Sequence, residues 1–93
     1  MSELLKQTYK IQDDVLSQEV SGETVLLDLN SESYFSLNEL GTRLWQLLKQ
    51  EGNLENIYTI LFEEYEVDAD ELRQDLEAMV SQLLEANLVV PTG

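Results

Sequence analysis

The residues with most capacity for chemistry are acids. Glu63, Glu64, Glu66, Asp68, Asp70 and Glu71 crowd together between positions 63 and 71. Such density could hold Ca²⁺ or Mg²⁺. A calcium loop of the EF-hand type, however, needs the D-x-[DN]-x-[DN]-G spacing, and the glycines, at 22, 41, 52 and 93, all lie elsewhere. As an acid–base pair the carboxylates lack a pocket, because a cleft of glycosidase size rarely fits in a chain this short. The chain has no His, the commonest general base and metal ligand, and no Cys to act as nucleophile or thiolate ligand. Scattered glycines also make no phosphate-binding loop. The acids therefore read as a solvated junction between two helices. The sequence predicts no catalytic residue, no metal and no cofactor.

What remains is a place where backbone could do the work. SYFSLN, residues 33–38, carries no charge in a chain of net charge −14. Ser33, Tyr34, Phe35, Ser36 and Leu37 have strand propensity and none of the Lys, Glu or Pro that blunt an exposed sheet edge. Two readings follow. A further strand at Tyr9–Ile11 could cover this edge, or the edge could receive an extended peptide by β-augmentation, with alternate side chains entering pockets on a neighbouring helix.

The elements that would position this edge can be read from periodicity. VLSQEV (15–20) and ETVLLDL (23–29) flank the turn signal Ser21-Gly22, and Asn30-Ser31-Glu32 leads into a third strand ending at Leu37. Val25, Leu27 and Leu29 share one face of the second strand, Leu26 and Asp28 the other. Asp13, Asp14 and Glu19 guard the first strand; nothing guards the third. Beyond Leu37 the period becomes helical. Asn38, Asn53 and Asp68 stand where N-caps are wanted, Glu71 completes a capping-box spacing, Gly52 stops the first helix and Asn87 suits a left-handed C-cap. Leu40, Leu44, Trp45, Leu47 and Leu48 stripe the first helix. Leu54, Ile57, Tyr58, Leu61, Phe62 and Tyr65 stripe the second. The apolar arc of the third, from Leu72 through Leu76, Met79, Val80 and Leu83 to Leu84, is wider than a small sheet needs, so part of it could line a groove. Arg73 and Asp75 sit on its two rims. Leu88, Val89 and Val90 close the domain before Pro91. The expected fold is α+β, a three-stranded antiparallel sheet followed by three helices, a composition it shares with winged helix-turn-helix domains.

Composition narrows the partners. Ninety-three residues make one domain, 1–93, with a core over about 15–90 and a radius of gyration of about 12 Å. Residues 51–93 carry eleven acids against Arg73 alone. Counterion release needs Lys and Arg facing the phosphates, so nucleic acid is not an expected partner, nor is an anionic membrane. MSELLKQTYKIQDD has no secretory h-region and no run reaches about 20 apolar residues, which points to a cytoplasmic protein.

VLLDLNSESYFSLNELGTRLWQLL resembles the core signature of the PqqD-like family, the stand-alone recognition elements of ribosomally synthesised, post-translationally modified peptide (RiPP) pathways. The matching residues are Leu26-Leu27-Asp28, Leu37-Asn38 and Leu44-Trp45, followed by Asp75-Leu76, Leu83 and Asn87-Leu88. The one departure is Asn87, where the family usually has Gly. The resemblance implies a winged-helix-like domain without catalysis of its own. It would bind the leader of a precursor peptide as an added strand beside Ser33–Leu37, against Arg73, Asp75, Leu76, Met79, Val80 and Leu83 of the third helix. It would then present the leader to a maturation enzyme, either a radical-SAM enzyme or a leader peptidase. The competing reading is a winged-helix-type protein–protein regulator whose acidic half docks on a basic partner.

Overall fold

A computed structural model describes residues 6–92; Met1–Leu5 and Gly93 of the predicted domain lie outside the described residues. Strands β1 (Tyr9–Ile11), β2 (Val15–Val20), β3 (Glu23–Asp28) and β4 (Ser33–Leu37) precede helices α1 (Glu39–Gln50), α2 (Leu54–Glu64) and α3 (Ala69–Glu85), and β5 (Val89–Pro91) ends the chain. The predicted antiparallel meander is present, in the order β2-β3-β4, with three helices after it. Ser21 and Gly22 both take positive φ, 53° and 83°, the backbone a two-residue hairpin turn needs. Register pairs Leu16 with Leu27 and Leu27 with Tyr34 on one face, Ser17 with Leu26 and Leu26 with Phe35 on the other.

Strand alternation leaves open which face is inner, and the structure settles it. Thr24, Leu26 and Asp28 of β3 are buried, whereas Leu29 and, on the same outer face, Leu16 and Tyr34 are exposed. α1 covers the inner face. Its stripe of Leu44, Trp45, Leu47 and Leu48 is buried, and meets Ile57 and Leu61 of α2 and Leu72, Leu76, Val80 and Leu83 of α3 in one core. Each such aliphatic side chain contributes about 1.5–3 kcal/mol by leaving water. Leu40, at the start of the predicted stripe, is only partly buried.

The caps form as the sequence predicts. Asn38 accepts from the Gly41 N–H, Asn53 from that of Asn56, and Asp68 from those of Asp70 and Glu71. Asn87 takes φ +58° at the end of α3, the left-handed conformation for which Asn is second only to Gly.

Tyr9–Ile11 is a strand, but it does not cover β4. It pairs antiparallel with β5, Lys10 opposite Val90, in a separate two-stranded clasp. The clasp is closely tied to the helices. The Tyr9 N–H donates to the Gly52 carbonyl at 2.9 Å, and the Thr92 N–H to that of Thr8 at 2.8 Å. Gly52 has φ +73°, and a Cβ there would stand 2.2 Å from the Tyr9 carbonyl oxygen. Only glycine lets the backbones approach this closely. No helix among the described residues is long and apolar enough to cross a membrane.

Candidate peptide-binding site

β4 is an edge strand. β3 takes up one side of it, and no described strand pairs with the other. The turn that delivers it is organised by Asp28, a residue only 8% exposed. It accepts from the Asn30 N–H and the Ser31 hydroxyl, each at 3.0 Å, while the Glu32 N–H donates to the Asp28 carbonyl at 2.7 Å. Glu32 then takes φ +59°, reversing the chain into Ser33. An acid on the inner face of a strand costs free energy unless its oxygens are occupied, and here they are. At the far end, the Asn38 cap starts α1 and fixes the exit of β4.

Along β4 the side chains alternate. Tyr34 and Ser36 face outward, Tyr34 being 73% exposed, whereas Phe35 is half-buried and Leu37 buried. Between this strand and α3 lie two cavities that share Phe35 as a wall. One, of about 180 Å³, is lined by Phe35, Ser36, Leu37, Asn38, Gly41, Met79 and Gln82. The other, of about 300 Å³, is lined by Asp28, Ser31, Ser33, Tyr34, Phe35, Glu85, Ala86, Asn87 and Leu88. Gly41 keeps the first one open: a Cβ there would come within 3.1 Å of the Leu37 Cβ and 3.3 Å of the Asn38 Oδ1. An open edge beside side-chain-sized hollows is what an added strand requires. Its backbone could pair with β4, and every second side chain could enter a hollow.

The structure divides the residues predicted for this site. Ser33, Tyr34, Phe35, Ser36, Leu37 and Met79 line the two cavities. Leu76, Val80 and Leu83 lie in the core, at 0%, 1% and 1% exposure. Arg73 and Asp75 line neither cavity; the Arg73 guanidinium donates to Asp70 one turn back. Sequence reasoning missed Asn38, Gly41, Gln82, Glu85 and Ala86. A helical signal for part of this set exists, since Met79, Gln82 and Ala86 follow i, i+3, i+7 along one stripe of α3. A search for apolar residues passes over Gln82 and Glu85.

Away from the groove, Arg43 forks onto Glu64 at 2.9 and 2.6 Å, tying α1 to the end of α2. That hydrogen-bonded pairing holds the Glu64 carboxyl below the usual carboxylate range and raises Arg43 further. Burial raises the Tyr9 and Tyr65 phenols. None of these groups lines the β4–α3 cavities. No group of three acids among the described residues is arranged to hold a metal ion.

A family model for coenzyme PQQ synthesis protein D (PqqD) matches residues 23–89, from the start of β3 to the first residue of β5. The chain belongs to the PqqD family. Two solved structures are similar to this PqqD-family chain. One is TbiB1 in complex with the TbiA(beta) leader peptide, 33% identical, covering 90% of this chain and 98% of that one, with a TM-score of 0.83. The other is lasso peptide synthetase B1 complexed with its leader peptide, 25% identical over 90% of this chain and 99% of that one, with a TM-score of 0.73. No curated protein matches significantly. The PqqD match takes in β4, all three helices and both stretches that carry the sequence signature.

Proposed function

We propose that this chain is a non-catalytic adaptor of RiPP biosynthesis. It binds the leader of a precursor peptide as a fourth strand on β4 and presents it, in the cytoplasm, to a maturation enzyme. The carrying observation is the unpaired β4 edge beside two cavities, in a chain similar over 90% of its length to a protein solved with a leader peptide bound. Backbone pairing along Ser33–Leu37 supplies affinity that depends little on leader sequence. The hollows against Met79, Gln82 and Glu85 supply selectivity. Arg73 and Asp75, farther toward the start of α3, belong to the site only if the leader runs past these hollows. Leu76, Val80 and Leu83 act from the core by fixing the position of α3.

The maturation enzyme is a leader peptidase or a radical-SAM enzyme. The likeness to a lasso peptide synthetase B1 favours the peptidase branch. Calorimetric titration with the leader of a precursor encoded beside this gene tests the reading. Saturable one-to-one binding is expected, and no binding by that leader refutes it.

A further inference from the structure

The two cavities beside β4 differ in charge. No charged residue lines the smaller one, between Leu37 and Met79. The larger, of about 300 Å³, lies where the Asp28 turn meets the end of α3, and its walls include Asp28 and Glu85 but no Lys or Arg.

Three sources make this cavity negative. The Asp28 carboxylate accepts from the Asn30 N–H and the Ser31 hydroxyl, but both donors are neutral and leave its charge in place. The Asn30 amide in turn donates to Asp14 at 2.9 Å, which brings a second carboxylate to the same turn. Glu85 ends α3, where the helix dipole is already negative and where no basic residue compensates. A cation is the favoured side chain at that place, and this helix carries an acid. Glu85 makes no ion pair among the described residues. Of the five cations in the chain, Arg43 and Arg73 are paired with Glu64 and Asp70, Lys10 lies by Asp13, and none lines the cavity.

Acids alone would not make this a site. Its position does: the cavity borders the unpaired β4 edge, in a chain similar to one solved with a leader peptide bound. Tyr34 and Phe35 add aromatic surface along which the apolar stem of a long charged side chain can lie. We propose that this cavity receives a Lys or Arg side chain of the leader, and that Glu85 selects for it. The stem runs past Phe35, and the cationic head meets Glu85 and the carbonyl end of α3. Asp28 and Asp14 attract the cation without giving up their own hydrogen bonds. Alternation along an added strand sets the cation an even number of residues from the side chain that enters the Gly41 cavity. This assignment rests on the leader reading and deepens it by the chemistry of one leader position.

Calorimetric titration tests it, using the leader of the precursor encoded beside this gene and copies in which each Lys and Arg is replaced in turn by Met. Met keeps an unbranched stem and drops the charge. One such replacement is expected to weaken binding to wild type at least about fivefold. Glu85→Gln should bind the unaltered leader about threefold more weakly. On that variant the same Met replacement should cost less than about twofold. Glu85 is exposed, and its neutralisation relieves an unfavourable contact with the helix end, so the variant's thermal midpoint should equal or exceed that of wild type. Wild-type affinity for every Met-substituted leader, an undiminished replacement cost on Glu85→Gln, or a leader without Lys or Arg overturns this proposal and leaves the leader reading standing. Absence of binding by the unaltered leader overturns both.

Discussion

The β1–β5 clasp and the β4 edge are built from the same material, short strands next to helices, and end in opposite states. In the clasp, backbone groups find backbone partners across the whole chain: Tyr9 with Gly52, Thr8 with Thr92, Gln12 with Leu88. The approach is so close that residue 52 admits only glycine. β4 satisfies one side of its ladder and leaves the other side facing cavities. A domain of this size has only about 5–10 kcal/mol of stability to distribute. The clasp holds the two ends of the described chain together, while the edge leaves hydrogen-bonding capacity uncommitted. On the proposed function, structure and recognition fall to different sheets, and each should fail separately.

The largest expected effect is on the clasp. Gly52→Ala should lower stability by at least ~2 kcal/mol, through a positive φ and a clash with the Tyr9 carbonyl, in urea unfolding followed by circular dichroism. At concentrations where the variant is still folded, leader affinity should change less than about twofold. A binding loss larger than the unfolded fraction explains would merge the two regions.

Proline at the edge should do the reverse. Alternate N–H groups of β4 point away from β3, so of Phe35→Pro and Ser36→Pro one removes an outward donor and the other a ladder bond. The variant that keeps its fold should bind the leader at least about tenfold more weakly. Binding at wild-type strength by a folded proline variant would remove β4 from the account. A smaller effect belongs to the groove wall. Met79→Ala and Gln82→Ala should each weaken leader binding by about 0.5–1.5 kcal/mol in calorimetry, and both more than Arg73→Ala. The opposite order would move the leader toward the start of α3.

Those α3 residues mark how far the sequence could be read. Asn38, Asn53, Asp68 and Asn87 act through local chemistry, so the helix boundaries were legible at the caps. The Ser21-Gly22 turn and the meander were legible for the same reason. The partner of Tyr9–Ile11 was not. Three residues carry no register, and their mate lies some 80 positions away, where Leu88, Val89 and Val90 read as apolar closure. The division of α3 was also hidden. Periodicity locates an apolar arc but does not say which part meets other helices. Leu76, Val80 and Leu83 went to the core, and the wall beside β4 came from Met79 with polar Gln82 and Glu85.

The smallest effect concerns the link between α1 and α2. Arg43 holds the Glu64 carboxyl below its ordinary value of 4.5, so the folded state favours the ionised form. The pair's contribution is complete above that value and is lost as pH falls through the lowered one. Both side chains are about a third exposed, so Glu64→Gln should cost no more than ~1 kcal/mol at pH 7. The wild-type and variant unfolding curves should converge in acid. Glu64→Gln should not affect the clasp and the edge differently.

The central claim is that a leader completes the β4 ladder, and amide hydrogen exchange tests it most directly. With the leader bound, the outward-pointing N–H groups among Ser33–Leu37 should gain protection of at least about tenfold. Those of β2, the other edge of the same sheet, should keep their free-state rates. Protection appearing on β2, or none on β4 at saturating leader, would contradict the account.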